Sequence, residues 1–229
     1  MLNNPRFRNR TEAGRALAKK LVHYAGDPHV LVLGLPRGGI PVAIEVAKAL
    51  DAPLDVFVVR KLGVPGHQEL AMGAIASGGV TLLDPTLVDF VSHAQLNEVI
   101  ARETEELARR ERTYRNHRPL QATAGKTVIL VDDGIATGAS MHAAVEALRR
   151  LASRKIVVAA PVSSREASVS LAKAADEAVF SVVPESFHAV GQWYDDFAQV
   201  TDDEVRASLE RAAVERWGTQ DPAARESSR

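Results

Sequence analysis

The chain has 229 residues, of which 46% are hydrophobic and 25% charged; its formal net charge is −1 and it contains no cysteine. That length suits one large domain with a sizeable core. Near-neutral charge argues against a broadly basic nucleic-acid binder, and the lack of thiols excludes disulfides and thiolate metal sites. No apolar run is long enough to span a bilayer, and residues 1–10 lack the apolar segment of a secretory signal, so a cytoplasmic protein with neither membrane nor nucleic-acid partners is expected.

From Thr11 to Tyr24 an apolar stripe of Ala13, Leu17, Leu21 and Tyr24 predicts a helix, stopped by Gly26 and Asp27-Pro28. Val30 to Leu33 reads as a buried strand running into Gly34-Leu35-Pro36-Arg37-Gly38-Gly39-Ile40-Pro41, and Ala43, Val46, Ala47 and Leu50 then mark a helix. Glycines at a strand end expose backbone N–H groups. With Arg37 among them, the loop of Pro36, Arg37, Gly38 and Gly39 suits pyrophosphate. It lacks the Walker lysine and the dinucleotide glycine spacing. A tight turn with a solvated arginine is the plainer alternative.

Leu54 to Val59 predicts the next strand, ending at the cations Arg60 and Lys61. The Gly/Pro-rich stretch Leu62 to Gln68 follows and reads as a mobile loop over an anionic ligand. Arg60, Lys61 and His67 are its candidate pyrophosphate contacts, although a lone loop histidine is as often simply solvated. Met72 to Leu83 predicts a hairpin turning at Gly78-Gly79. Ser92 and Gln95 have capping-box spacing before a charged helix reaching Tyr114, whose alternating acids and bases indicate a solvated face. A polar linker, Asn116 to Gly125, follows.

Val128 to Ser140 carries the most information. Val128 to Val131 is an unbroken apolar run, the pattern of a strand buried on both faces. Asp132 and Asp133 follow, then the small-residue loop Ile135, Ala136, Thr137, Gly138, Ala139 and Ser140, and then a helix marked by Ala143, Ala144, Ala147, Leu148 and Leu151. In an open α/β sheet ligands bind at such strand ends. Helix-start N–H groups favour a phosphate, whereas carboxylates suit sugar hydroxyls, directly or through a metal. A sugar phosphate satisfies both. A mere helix cap would need one acidic residue, not an adjacent pair at a buried strand end.

Lys155 to Ala160 predicts a further strand ending at Pro161, Ser163 and Glu166 a capping box, and Ala178 to Val183 a last strand. The segment after it contains Phe187, Trp193 and Tyr194, which could cover a flat ring by stacking; a hydrophobic clamp or dimer contact is the equal alternative. Thr201 with Glu204 starts a final helix, and Gly218 to Arg229 is a polar tail.

The joint pattern of apolar run, acid pair, Thr137-Gly138 and Ser140 closely resembles the phosphoribosyl-pyrophosphate (PRPP) motif of the type I phosphoribosyltransferases, in which two acidic residues end a strand and a Thr-Gly loop wraps the 5′-phosphate. The Arg37 loop is similar to the family's pyrophosphate loop, and Arg60-Lys61 with Gly63 and Pro65-Gly66 looks like its adenine-type branch. The resemblance spans about Thr11 to Thr201. It implies a three-layer α/β fold with a mainly parallel sheet. One domain would occupy residues 1–201, with a small hood drawn from about 62–120 and 184–200, followed by a helix and tail over 202–229.

In function, the resemblance implies Mg²⁺-dependent transfer of phosphoribosyl from PRPP to a nitrogenous base, with a homodimer as the expected assembly. Asp132, Asp133, Lys61 and Arg37 would be the catalytic residues. Asp132 and Asp133 would meet the metal mostly indirectly, since magnesium keeps waters and phosphate oxygens. Ala136 stands where the oxopurine branch has an aspartate, which counts against hypoxanthine or guanine. Gly134 and Ala139 also depart from the common pattern. The alternatives are a non-catalytic PRPP or nucleotide sensor and, with less support, a phosphohydrolase using the acid pair.

Overall fold

A computed structural model describes residues 6–217. Five parallel strands form the central sheet: β1 (Val30–Gly34), β2 (Leu54–Val56), β6 (Thr127–Val131), β7 (Lys155–Val162) and β8 (Glu177–Val182), in the order β2-β1-β6-β7-β8. Between β2 and β6 the chain makes a separate antiparallel sheet of β3 (Val59–Val64), β4 (His67–Ala76) and β5 (Val80–Leu83).

The strands bury both faces because successive side chains point to opposite sides. Leu31, Leu33, Val128, Leu130, Ile156 and Val158 pack under α5 (Ala139–Arg150) and α6 (Arg165–Ala174). Val30, Val32, Ile129, Val131, Val157 and Ala159 pack under α1 (Arg10–Lys20) and α2 (Gly39–Leu50). The result is the expected three-layer α/β architecture with a small additional sheet. A short α3 (Pro85–Val88) precedes the long α4 (His93–Arg115), and α7 (Asp202–Trp217) closes the described chain. The tail read over Gly218 to Arg229 lies outside the described residues.

Two capping boxes read from spacing are present: Ser92 with Gln95, and Thr201 with Glu204. The third is displaced by one residue, since Ser164, not Ser163, accepts the Ala167 N–H at the start of α6. The strand expected over Leu54 to Val59 is two elements. Its parallel part stops at Val56, and Val59 already belongs to β3.

A larger correction concerns residues 62–68. They form no open loop: β3 and β4 are a hairpin turning at Pro65-Gly66, with Val64 opposite His67 and Gly66 at φ 79°. Leu62 is fully buried against Met72, Leu96 and Val99, which anchors the hairpin to α4. Glycine and proline here serve a tight turn and the bulges near Gly63.

Chain order places the site. From β1 the chain moves outward one way to β2, and from β6 it moves outward the other way through β7 to β8. The switch lies between β1 and β6, where open α/β sheets form a ligand crevice beyond their strand ends.

Candidate active site

Two strand–loop–helix units meet at that switch. Leu35 N–H donates to the Val131 carbonyl at 2.8 Å, tying the end of β1 to the end of β6. Gly38 and Gly39 then pass directly beneath the acid pair. A Cβ on Gly38 would lie 2.5 Å from Asp133 Cγ, and one on Gly39 would lie 2.7 Å from the Val131 carbonyl oxygen and 2.9 Å from Asp132 Cα. These glycines are therefore required by close approach, independently of any ligand. The Pro36–Arg37 peptide is cis.

Asp133 is held on several sides. Arg10 of α1 donates from Nε to Asp133 Oδ2 at 2.7 Å, and both side chains are largely buried. The same guanidinium donates to the Ala198 carbonyl and lies 4.0 Å from the Phe197 ring centroid. Tyr194 donates its hydroxyl to the Asp133 carbonyl oxygen. Asp132 accepts the Asp133 N–H at 2.8 Å, and among the described residues no cationic side chain forms an ion pair with it, the Arg10 charge acting only from beyond Asp133. Burial first, and the Asp133 carboxylate second, push the Asp132 carboxyl well above the ordinary carboxylate range. A hydroxyl donor or a cation arriving there would relieve that penalty.

The Thr137 loop is pinned from β7. Ile135 N–H donates to the Val162 carbonyl, Ser164 N–H to the Ile135 carbonyl, and Ser164 Oγ to the Ala136 carbonyl. Gly138 caps α5 at φ 78°, a left-handed conformation that favours glycine. Ala136, Thr137, Ala139 and Ser140 remain exposed at the helix N-terminus, where backbone donors attract anions. Gly134 has a packing cause: a Cβ there would collide with the Val190 side chain and approach Val162 Cγ1 to 3.0 Å.

The predicted pyrophosphate contacts do not all converge. Arg37 is partly exposed, and no hydrogen bond engages its guanidinium among the described residues; its nearest acid is Asp202, with Nη1 3.9 Å from Oδ1. Arg60 and Lys61 sit on one strand and so face opposite ways. Arg60 donates to Glu103 of α4 from Nε at 2.9 Å and Nη2 at 2.5 Å, which commits it to the helix. Lys61 is solvent-facing, its Nζ 3.8 Å from Glu69 Oε2. His67 is exposed near the hairpin tip.

The aromatic segment also needs correction. Trp193 and Tyr194 are only 3% and 4% exposed and pack with Phe7, Ala13 and Val162. They close the sheet edge and brace Asp133, whereas Phe187 is partly exposed and Phe197 is 37% exposed. The clamp alternative describes this segment. Sequence reasoning missed Arg10, whose only signal was a lone cation beside a helix start.

No cluster of three or more His, Asp or Glu side chains able to hold a metal occurs among the described residues. The acid pair nonetheless fits a magnesium bound chiefly by ligand oxygens and water, with Asp132 as the carboxylate free of a cationic partner.

The decisive comparison is with protein families. Residues 6–197 match the model of the phosphoribosyl transferase domain. The chain belongs to that family. The phosphoribosyltransferase domain is 46% identical over 208 residues to proteins from two Mycobacterium tuberculosis strains, H37Rv and CDC 1551, that carry the provisional name phosphoribosyl transferase. The match covers 90% of this chain and 47% of each relative, so the chain spans about half the length of the curated relatives it matches. Among solved structures, TT1426 from Thermus thermophilus is 46% identical, with a TM-score of 0.81, covering 90% of this chain and 98% of that one. Among the described residues no helix is long and apolar enough to cross a membrane.

Proposed function

We propose that this domain transfers the 5-phosphoribosyl group of PRPP to a nitrogen of a base, or catalyses the reverse pyrophosphorolysis, with Mg²⁺. The observation that carries the reading is the interlock of the Arg37 loop with the Asp132-Asp133 pair at the switch between β1 and β6. One ligand with pyrophosphate, ribose hydroxyls and a 5′-phosphate in sequence suits that crevice.

In this reading Thr137 to Ser140 hold the 5′-phosphate through backbone N–H groups and hydroxyls. Asp132 and Asp133 accept the ribose hydroxyls. As the C1–O bond breaks, positive charge grows on the sugar and negative charge on the departing pyrophosphate. Arg37 would stabilise the latter, joined by Lys61 if its exposed side chain leaves Glu69 for the ligand. Bound magnesium would add charge neutralisation at pyrophosphate. The antiparallel sheet and α4 would act as a hood that limits water, which would otherwise capture the cationic sugar.

A PRPP-sensing role without transfer draws support from one observation, the burial of Trp193 and Tyr194, which withdraws two of the three aromatic side chains considered for covering a base. Incubation with PRPP, Mg²⁺ and a panel of purine and pyrimidine bases, reading pyrophosphate release, separates the two. Base-dependent release supports transfer; tight PRPP binding with no release for any base supports sensing.

A further inference from the structure

Asp202 has no part in the scheme above, yet it is the acid nearest to Arg37. Its place is set by packing. It is the first residue of α7, whose Val205 and Leu209 are buried among Ile40, Val56 and residues of α4. Tyr114, itself only 1% exposed, donates its hydroxyl to Asp202 Oδ1 at 2.6 Å, and Arg109 Nη2 stands 3.8 Å from Oδ2. Arg109 is itself taken up by Glu106, at 2.7 and 3.0 Å. The carboxylate is thus fixed by Tyr114 and by the docking of α7, and Arg37 approaches it only to 3.9 Å, without a hydrogen bond.

We propose that Asp202 is a positioning residue that acts through Arg37, a built-in counter-ion that an incoming pyrophosphate group must outcompete. This rests on the reading of the Arg37 loop as the pyrophosphate seat. The negative charge keeps the guanidinium over the loop when no ligand is present, and weakens the grip on pyrophosphate so that product can leave. It also joins anion binding to the seating of the last helix, because the carboxylate that Arg37 would relinquish is the first residue of α7.

Asp202→Asn tests this, since the amide oxygen can still accept from Tyr114 while the charge is lost. Titration of inorganic pyrophosphate should show about three- to tenfold tighter binding, the scale of one partly screened charge pair. Ribose 5-phosphate affinity and Tm should stay unchanged, and the gain should shrink with added salt. In an Arg37→Ala background, Asp202→Asn should have no effect on pyrophosphate. Unchanged or weaker pyrophosphate binding by a stably folded Asp202→Asn variant would overturn the proposal, as would an equal gain in the Arg37→Ala background. Either result leaves the pyrophosphate seat standing if Arg37→Ala alone weakens binding. Wild-type protein that binds neither pyrophosphate nor PRPP would overturn both.

Discussion

Gly38 lies so close to Asp133 that a single methyl group between them would reach within 2.5 Å of the carboxylate carbon. The pyrophosphate-type loop and the acid pair are therefore one packed unit. Gly38→Ala should push Asp133 off Arg10, costing about 1–3 kcal/mol as overpacking does, and should weaken PRPP markedly. Gly39→Ala meets backbone at Val131 instead and should lower Tm further. Thermal melts and PRPP titrations of both variants check the order; equal Tm values would contradict it.

Arg10 and Asp133 form a largely buried pair at 2.7 Å. Removing one partner of such a pair leaves an uncompensated charge, with losses of roughly 3–5 kcal/mol. Arg10→Gln should approach that loss, and Arg10→Gln with Asp133→Asn should recover much of it. A double-mutant cycle in urea reads the coupling, and additive losses would show that the pair is not coupled.

Asp132 gives a pH signature. Its carboxyl is raised in the folded protein, so the folded state keeps a proton that the unfolded state releases. Wild-type stability should therefore fall relative to Asp132→Asn as pH rises from the ordinary carboxyl value of about 4 toward neutrality. With chelator present and no ligand, the Tm advantage of Asp132→Asn should be larger at neutral pH than in acid. A difference that is flat with pH would contradict the burial of this carboxyl.

The adjacent cations Arg60 and Lys61 should separate in experiment. Arg60→Ala loses the Glu103 pair and should lower Tm. Lys61→Ala should leave Tm unchanged and lower the rate of pyrophosphate release more than PRPP affinity, because its charge matters most as pyrophosphate departs. The reverse result would mean that Arg60, not Lys61, serves the departing pyrophosphate.

Much of this was legible along the chain. The apolar runs of Val30 to Leu33 and Val128 to Val131 announced strands buried on both faces, and the acid pair and the two glycine loops marked the crevice. What stayed hidden were relations between distant segments. Pro65-Gly66 has the same composition in a tight turn as in a mobile loop, and only the burial of Leu62 against α4 decides between them. Trp193 and Tyr194 signalled a ligand or a core equally well, until Phe7 and Val162 packed on them. Arg10 lies 123 residues from Asp133, and no local spacing points from one to the other.

The central claim is that PRPP binds where β1 and β6 diverge. Calorimetric titration of PRPP with Mg²⁺ into wild-type protein and into the Asp132→Asn, Asp133→Asn double variant, with circular dichroism to verify folding, tests it most directly. The account predicts saturable one-site binding by the wild type and loss of that binding in a folded double variant. Unchanged PRPP affinity in the variant would contradict it.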